Sequence, residues 1–252
     1  MTPLHTAVRK IPKPPLSHIL AQWFLDCLFP KYCLECGSEG RYWCELCQSK
    51  PPQLYPQICF ACSKRCDISG ICFDCQPRYA FDGVLIASDY DQPIIQALIH
   101  NFKYRFISEL SFELSLFLRK KIDSFLYVIP DTSLLSTNFF NVTVIPVPLS
   151  KKRLRYREFN QAELLANHIV SYCGLVIRTD MLFRSHSTPQ VKLTGEARQK
   201  NLEGLFYIKQ TPPDMVLLVD DVITTGATLH ESAKVLKQAG AKEVWVLVVA
   251  KG

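Results

Sequence analysis

The run Val216-Leu-Leu-Val-Asp-Asp-Val-Ile-Thr-Thr-Gly-Ala-Thr-Leu229 constrains this chain more than any other stretch of it. The apolar residues Val216 to Val219 have the length and bounds of a fully buried strand, the kind found in parallel sheets. Two carboxylates follow, Asp220 and Asp221, then Thr224-Thr225-Gly226-Ala227-Thr228, then an amphipathic run from Leu229 to Gly240. Strand, turn and helix start in that order build an anion site, because free backbone N–H groups and the helix dipole both favour a phosphate. Gly226 lets the backbone come close, and Thr224, Thr225 and Thr228 add hydroxyl donors. A carboxylate pair repels phosphate, so Asp220 and Asp221 are expected to face something else from an exposed strand end. The two hydroxyls of a ribose, or a bound Mg²⁺, would suit them. A plain strand-turn-helix with a polar turn is the alternative, whereas a Walker-type loop is excluded because no Gly-Lys-Ser/Thr is present.

The sequence after Pro77 extends this pattern. Apolar runs at Val84–Ala87, Val142–Pro146, Val216–Val219 and Val244–Val249 alternate with helical patterns at Pro93–Phe106, Glu109–Lys121, Gln161–Tyr172 and Leu229–Ala239. Alternation of this kind predicts one α/β domain over residues 81–252, a parallel sheet with helices on both faces. Ligands on such sheets sit beyond the carboxyl ends of the strands, where Asp220 to Thr228 falls. The stretch Asp123 to Asn141 has little periodicity and reads as an insertion loop.

Ahead of that domain, nine of the eleven cysteines lie between Cys33 and Cys75. Eight of them form four C-x-x-C knuckles: Cys33 with Cys36, Cys44 with Cys47, Cys59 with Cys62, and Cys72 with Cys75. The chain has no signal-peptide pattern and no apolar run long enough to span a bilayer, so it reads as cytosolic. In a reducing compartment such spacing means metal, and eight thiolates suffice for two tetrahedral zinc sites. Neighbouring knuckles would pair as Cys33/36/44/47 and Cys59/62/72/75, with interleaved pairing also open. The segment, residues 31–77, is poor in aliphatic residues, so the metal is expected to be its core, structural and closed to chemistry. Cys27, Cys66 and Cys173 are left over and read as small buried hydrophobes. The formal charge of +6 falls to +2 once two Zn(Cys)₄ sites of −2 each are counted, so any argument for a nucleic-acid partner must rest on local clusters.

One such cluster is Val147-Pro-Leu-Ser-Lys-Lys-Arg-Leu-Arg-Tyr-Arg-Glu-Phe-Asn-Gln161. Five cations in seven residues, Lys151, Lys152, Arg153, Arg155 and Arg157, leave the end of a strand with Tyr156 and Phe159 interleaved. A loop of this kind at the sheet edge could take a pyrophosphate or a nucleic-acid backbone, and its aromatics could stack bases; a solvated basic face is the alternative. Residues Thr188 to Phe206 read as an extended, polar flap. At the other end, residues 1–30 comprise a Pro-rich arm with Arg9, Lys10 and Lys13, then an amphipathic helix carrying Leu16, Ile19, Leu20, Trp23, Phe24 and Leu28. That apolar face would dock onto the protein's own body or lie on a membrane surface.

The Val216–Leu229 stretch closely resembles the phosphoribosyl pyrophosphate (PRPP) signature of type I phosphoribosyltransferases. The chain from about Leu16 onwards resembles the ComF family of competence proteins. The matching features are the helix followed by knuckles, Lys103-Tyr104, Arg155-x-Arg157 with Phe159-Asn160-Gln161, Thr188-Pro-Gln190 with Arg198, Asn201, Gly204 and Phe206, and the PRPP signature. Glu158 departs from the family, which usually has Gly there. The resemblance implies a phosphoribosyltransferase-like fold behind a double zinc ribbon. It also implies a protein of natural transformation that handles incoming single-stranded DNA at the inner face of the cytoplasmic membrane. A second reading is an active phosphoribosyltransferase using PRPP and Mg²⁺ on an unknown acceptor. In it Asp220 and Asp221 hold the ribose hydroxyls, Thr224 to Thr228 the 5′-phosphate, and Arg155 and Arg157 the leaving pyrophosphate. A third is a zinc-dependent module docking onto a DNA-translocation protein, with the sheet as inert scaffold.

Overall fold

A computed structural model describes residues 30–50, 53–128, 141–185 and 204–252. The N-terminal arm and helix, Cys27, and the flap residues Thr188 to Gln190, Arg198 and Asn201 lie outside the described residues. The elements, in chain order, begin with a short helix α1 (Glu45–Gln48) among the cysteines. Then come β1 (Gly83–Asp89), α2 (Pro93–Tyr104), α3 (Leu110–Val128), β2 (Thr143–Pro146), α4 (Lys151–Arg157) and α5 (Gln161–Cys173). The chain ends with β3 (Val176–Ile177), β4 (Leu182–Arg184), β5 (Phe206–Ile208), β6 (Met215–Ile223), α6 (Ala227–Gln238) and β7 (Glu243–Lys251).

Five strands form one sheet in the order β1-β7-β6-β2-β3, and every neighbouring pair is parallel. The central strands are apolar on both sides, with Val216 to Val219 and Val246 to Val249 all buried, because helices or other chain cover both faces. On one face α2, α3 and α5 bring in Ile95, Leu98, Phe102, Leu114, Phe117, Leu118, Leu165 and Ile169. On the other, α6 packs Leu229, Ala233 and Leu236 against Val216, Leu218, Val246 and Val248, and the antiparallel pair β4–β5 joins with Leu182 and Phe206. Pro93 opens α2, where a missing N–H is harmless, and Gly174 ends α5 with φ of 72°.

Three expectations are corrected. Helix α3 runs to Val128, not Lys121, so the first part of the supposed insertion loop is helical; residues 129–140 lie outside the described residues. The stripe Leu114, Leu118, Ile122, Phe125 continues inward at helical spacing, and Phe125 meets Trp245 of β7 with ring centroids 5.4 Å apart. Next, the basic stretch Lys151–Arg157 is a helix rather than a loop. The side chain of Ser150 caps it by accepting from the Arg153 N–H at 3.3 Å. Finally, the cysteine segment has a core beyond its thiols. Cys33, Trp43 and Cys47 belong to the α3 side of the main core, and Cys59, Phe60, Ile71 and Cys75 to the α6 side. The two halves of the cysteine segment therefore pack on opposite faces of the sheet.

Candidate functional site

Strand β6 does not stop before the acidic pair. Its ladder to β7 continues with Asp220 opposite Val248 and Val222 opposite Ala250. Side chains of a strand alternate, so Asp220 shares a face with Val216 and Leu218, and Asp221 shares the other with Leu217 and Val219. The expected exposed pair is thereby corrected: Asp221 is buried, 8% exposed, and Asp220 half-buried. Asp221 meets the Lys103 ammonium, from the last turn of α2, at 2.8 Å. Asp220 accepts the Asp221 N–H at 2.8 Å. Burial, with the Asp221 carboxylate behind it, pushes the Asp220 carboxyl up to about 7; Lys103 and Arg153 pull the other way.

After Ile223 the chain turns through Thr224 and Thr225 into Gly226, which sits in the left-handed region at φ 76° and precedes α6. The turn frames a cleft of about 70 Å³ lined by Asp220 and by Val222 to Leu229, enough for a tetrahedral anion at the helix N-terminus. Thr224, Thr225, Gly226, Ala227 and Thr228 all line it.

The basic helix leaves the strand beside it. Pro146 at the end of β2 lies opposite Val219 of β6, and the Val147 N–H donates to the Val219 carbonyl at 3.0 Å. Both segments thus start from neighbouring strands at the carboxyl edge of the sheet. Lys151, Lys152, Arg153 and Arg155 are exposed. Arg157 folds back: it donates to Gln161 Oε1 at 3.1 Å and lies 5.8 Å from the centre of the Tyr104 ring. The two expected stacking residues also part company. Phe159 packs on Phe102 at 5.5 Å, whereas Tyr156 is 67% exposed with its ring edge-on to Phe106.

Of two residues at this edge, one escaped the sequence reading and the other was read only as part of a family match. Arg184, on β4, is half-buried with its guanidinium 5.5 Å from the Phe206 ring. Burial and then Arg153 pull its pKa below the usual range, and Asp220 pulls it back. An arginine in a three-residue strand gives no local signal; only the tertiary fold carries it to the acidic pair. Tyr104 is 56% exposed next to Arg157, and its Lys103-Tyr104 pairing was the one available clue.

The cysteines gather as neighbouring knuckles. The thiols of Cys33, Cys36, Cys44 and Cys47 lie within 4.8 Å of one another, and so do those of Cys59, Cys62, Cys72 and Cys75. A tetrahedral zinc with Zn–S near 2.3 Å requires sulfurs about 3.8 Å apart. Cys36 and Cys44 are 3.6 Å apart, and Cys62 and Cys72 likewise 3.6 Å, so both sets suit a tetrahedral thiolate metal. Burial raises the spare thiols Cys66 and Cys173 to about 11, in keeping with inert half-buried residues. No described helix is long and apolar enough to cross a membrane.

Residues 184–252 match the phosphoribosyl transferase domain. Competence protein F of Haemophilus influenzae is 29% identical over 229 residues, covering 88% of this chain and 85% of that protein. Competence protein ComFC of Streptococcus pneumoniae is 30% identical over 204 residues, covering 80% and 84%. The DNA utilization protein YhgH of Salmonella typhimurium is 30% identical over 164 residues, covering 64% and 69%. With this identity over most of both chains, and with its parallel sheet behind two four-cysteine groups, the chain belongs to the ComF family of competence proteins.

Proposed function

We propose that this protein serves in competence by holding single-stranded DNA along the carboxyl edge of its sheet, beside a pocket for a ribose phosphate of the PRPP type. One observation carries the reading: the exposed cations and exposed ring of α4 and the glycine turn into α6 leave adjacent strands at one edge. Lys151, Lys152, Arg153 and Arg155 track the phosphate backbone, and Tyr156 stacks a base. In the pocket Thr224 to Thr228 take the 5′-phosphate and Asp220 the ribose hydroxyls, with Asp221 held behind it by Lys103, and Mg²⁺ arrives with PRPP. The eight knuckle cysteines hold two structural zinc ions, whose thiolate charge leaves the molecule nearly neutral outside such local clusters.

A second reading is supported by Arg153 and Arg184, two cations within electrostatic reach of Asp220. Two cations there suit a leaving pyrophosphate, and positioning plus electrostatics is all that transfer of a ribosyl group asks of a protein. Pyrophosphate release with candidate acceptors separates this enzyme reading from pure binding. For DNA, the test is filter binding of single strands and duplex across several salt concentrations. Single strands should bind better and without sequence preference, and affinity should fall steeply with salt. Tyr156→Ala should weaken single-strand binding by about 1–3 kcal/mol. Equal binding of duplex, unchanged in Tyr156→Ala, would reduce α4 to a basic patch.

A further inference from the structure

The second cysteine group, Cys59/62/72/75, does more than fold its own segment. Phe60 sits between Cys59 and Cys62, and Tyr79 follows Cys75 by four residues. Their rings meet with centroids 4.9 Å apart, and both pack directly behind Gly226 of the phosphate turn. A Cβ placed on Gly226 would lie 3.0 Å from Tyr79 Cε1 and 3.1 Å from Phe60 Cε2. The Tyr79 hydroxyl donates to the Thr225 carbonyl at 3.2 Å. Neither ring lines the cleft, so the contact comes from the protein side of the turn. The linker beyond Tyr79 is fastened along α6 and β7. The Ala80 N–H donates to His230 Nδ1 at 3.0 Å, Asp82 pairs with Lys237 at 2.6 Å, and Asp82 accepts the Val244 N–H at 2.7 Å.

These contacts bear on the one turn whose backbone must stay fixed for an anion to bind. Gly226 holds φ at 76°, a conformation open to glycine but not enforced by it. If the Thr225–Gly226 peptide turned over, the Thr225 carbonyl would face the cleft and repel a phosphate. Tyr79 holds that carbonyl by a hydrogen bond, and Phe60 fills the space behind it. The first cysteine group has no such role: it packs on the other face, with Trp43 stacked on Phe117 at 4.8 Å.

We propose that Phe60 and Tyr79 are positioning residues for the phosphate turn, so that metal in the Cys59/62/72/75 group, and not in the Cys33/36/44/47 group, sets its affinity for a phosphate ester. The proposal rests on the ribose-phosphate reading of the pocket. The test is titration of the full zinc-loaded chain with ribose 5-phosphate, together with amide chemical shifts of Thr224 to Thr228. Tyr79→Phe removes a single hydroxyl without disturbing the fold and should weaken binding about threefold to tenfold, the worth of one hydrogen bond. Cys62→Ser with Cys72→Ser should weaken it at least as much and move the turn's amide shifts. Cys36→Ser with Cys44→Ser should leave both unchanged. Wild-type affinity in Tyr79→Phe, or equal losses from the two cysteine pairs, would overturn the proposal. If the wild type binds no ribose 5-phosphate, the pocket reading fails. The coupling is then decided by whether loss of metal from the second group alone moves the turn's amides.

Discussion

Asp220 is where the site and the fold pull against each other. Its carboxyl is half-buried beside Asp221 at the end of β6, and burial first, then that neighbour, raises it to about 7. A carboxyl whose folded pKa exceeds its unfolded value, about 3.9, holds a proton in the folded state that the unfolded chain has released. Stability therefore falls as pH rises from about 4 through 7, and the full penalty is present at pH 8. Asp220→Asn should raise the stability of the ligand-free protein at pH 8 by about 1–2 kcal/mol, a figure discounted for partial solvent access. Urea unfolding at pH 5 and pH 8 checks this: the gain should be large at pH 8 and small at pH 5, and a loss at pH 8 would contradict it. The identity of the pair and the threonine loop was legible because acid, hydroxyl and glycine types are explicit in the sequence. Their placement was not. A parallel ladder is made by backbone groups, so β6 extends through Asp220 and Asp221 regardless of their polarity, and alternation then sends them to opposite faces.

Among the elements, β1, β2, β7, α2, α5 and α6 were legible nearly to their ends, whereas β6 and α3 ran well past theirs and α4 was not seen as a helix. Its cations hid it, although Lys, Arg and Leu are good helix formers and Ser150 is a good cap. The same helix shows what the departure at Glu158 costs. This residue closes α4 in the left-handed region at φ 65°, its N–H donating to the Leu154 carbonyl at 2.8 Å, where glycine is the unstrained choice. Glu158→Gly should therefore stabilise the protein by about 1 kcal/mol, read from the urea midpoint at unchanged slope. A fall in the midpoint would mean that the Glu158 side chain contributes more than its backbone strain removes. The extension of α3 shows the opposite limit of local reading. Asp123, Ser124, Tyr127 and Val128 are indifferent helix formers, and the packing of Ile122 and Phe125 overrides them.

For the whole molecule, the sequence announced metal sites and an α/β sheet but gave no sign that the cysteine groups straddle that sheet. The reason is that long-range packing depends on where Trp43 and Phe60 find partners, and both partners, Phe117 and Tyr79 with Phe81, lie outside the knuckles themselves. We expect two zinc ions per chain in protein purified without added metal. Because both groups are continuous with the main cores, chelation should lower the global unfolding temperature as well as disorder residues 33–75. One equivalent of zinc would leave one group without its role, and none would contradict the metal reading. The proposed function depends on a ribose-phosphate pocket built from the end of β6 and the turn into α6, with the basic helix α4 beside it. Isothermal titration of PRPP with Mg²⁺ into the wild type and into the Asp220→Asn, Asp221→Asn double variant probes that pocket. The wild type should bind saturably and one-to-one, and a double variant that still folds should not bind; a wild type that does not bind, or equal affinity in both, would rule the pocket out.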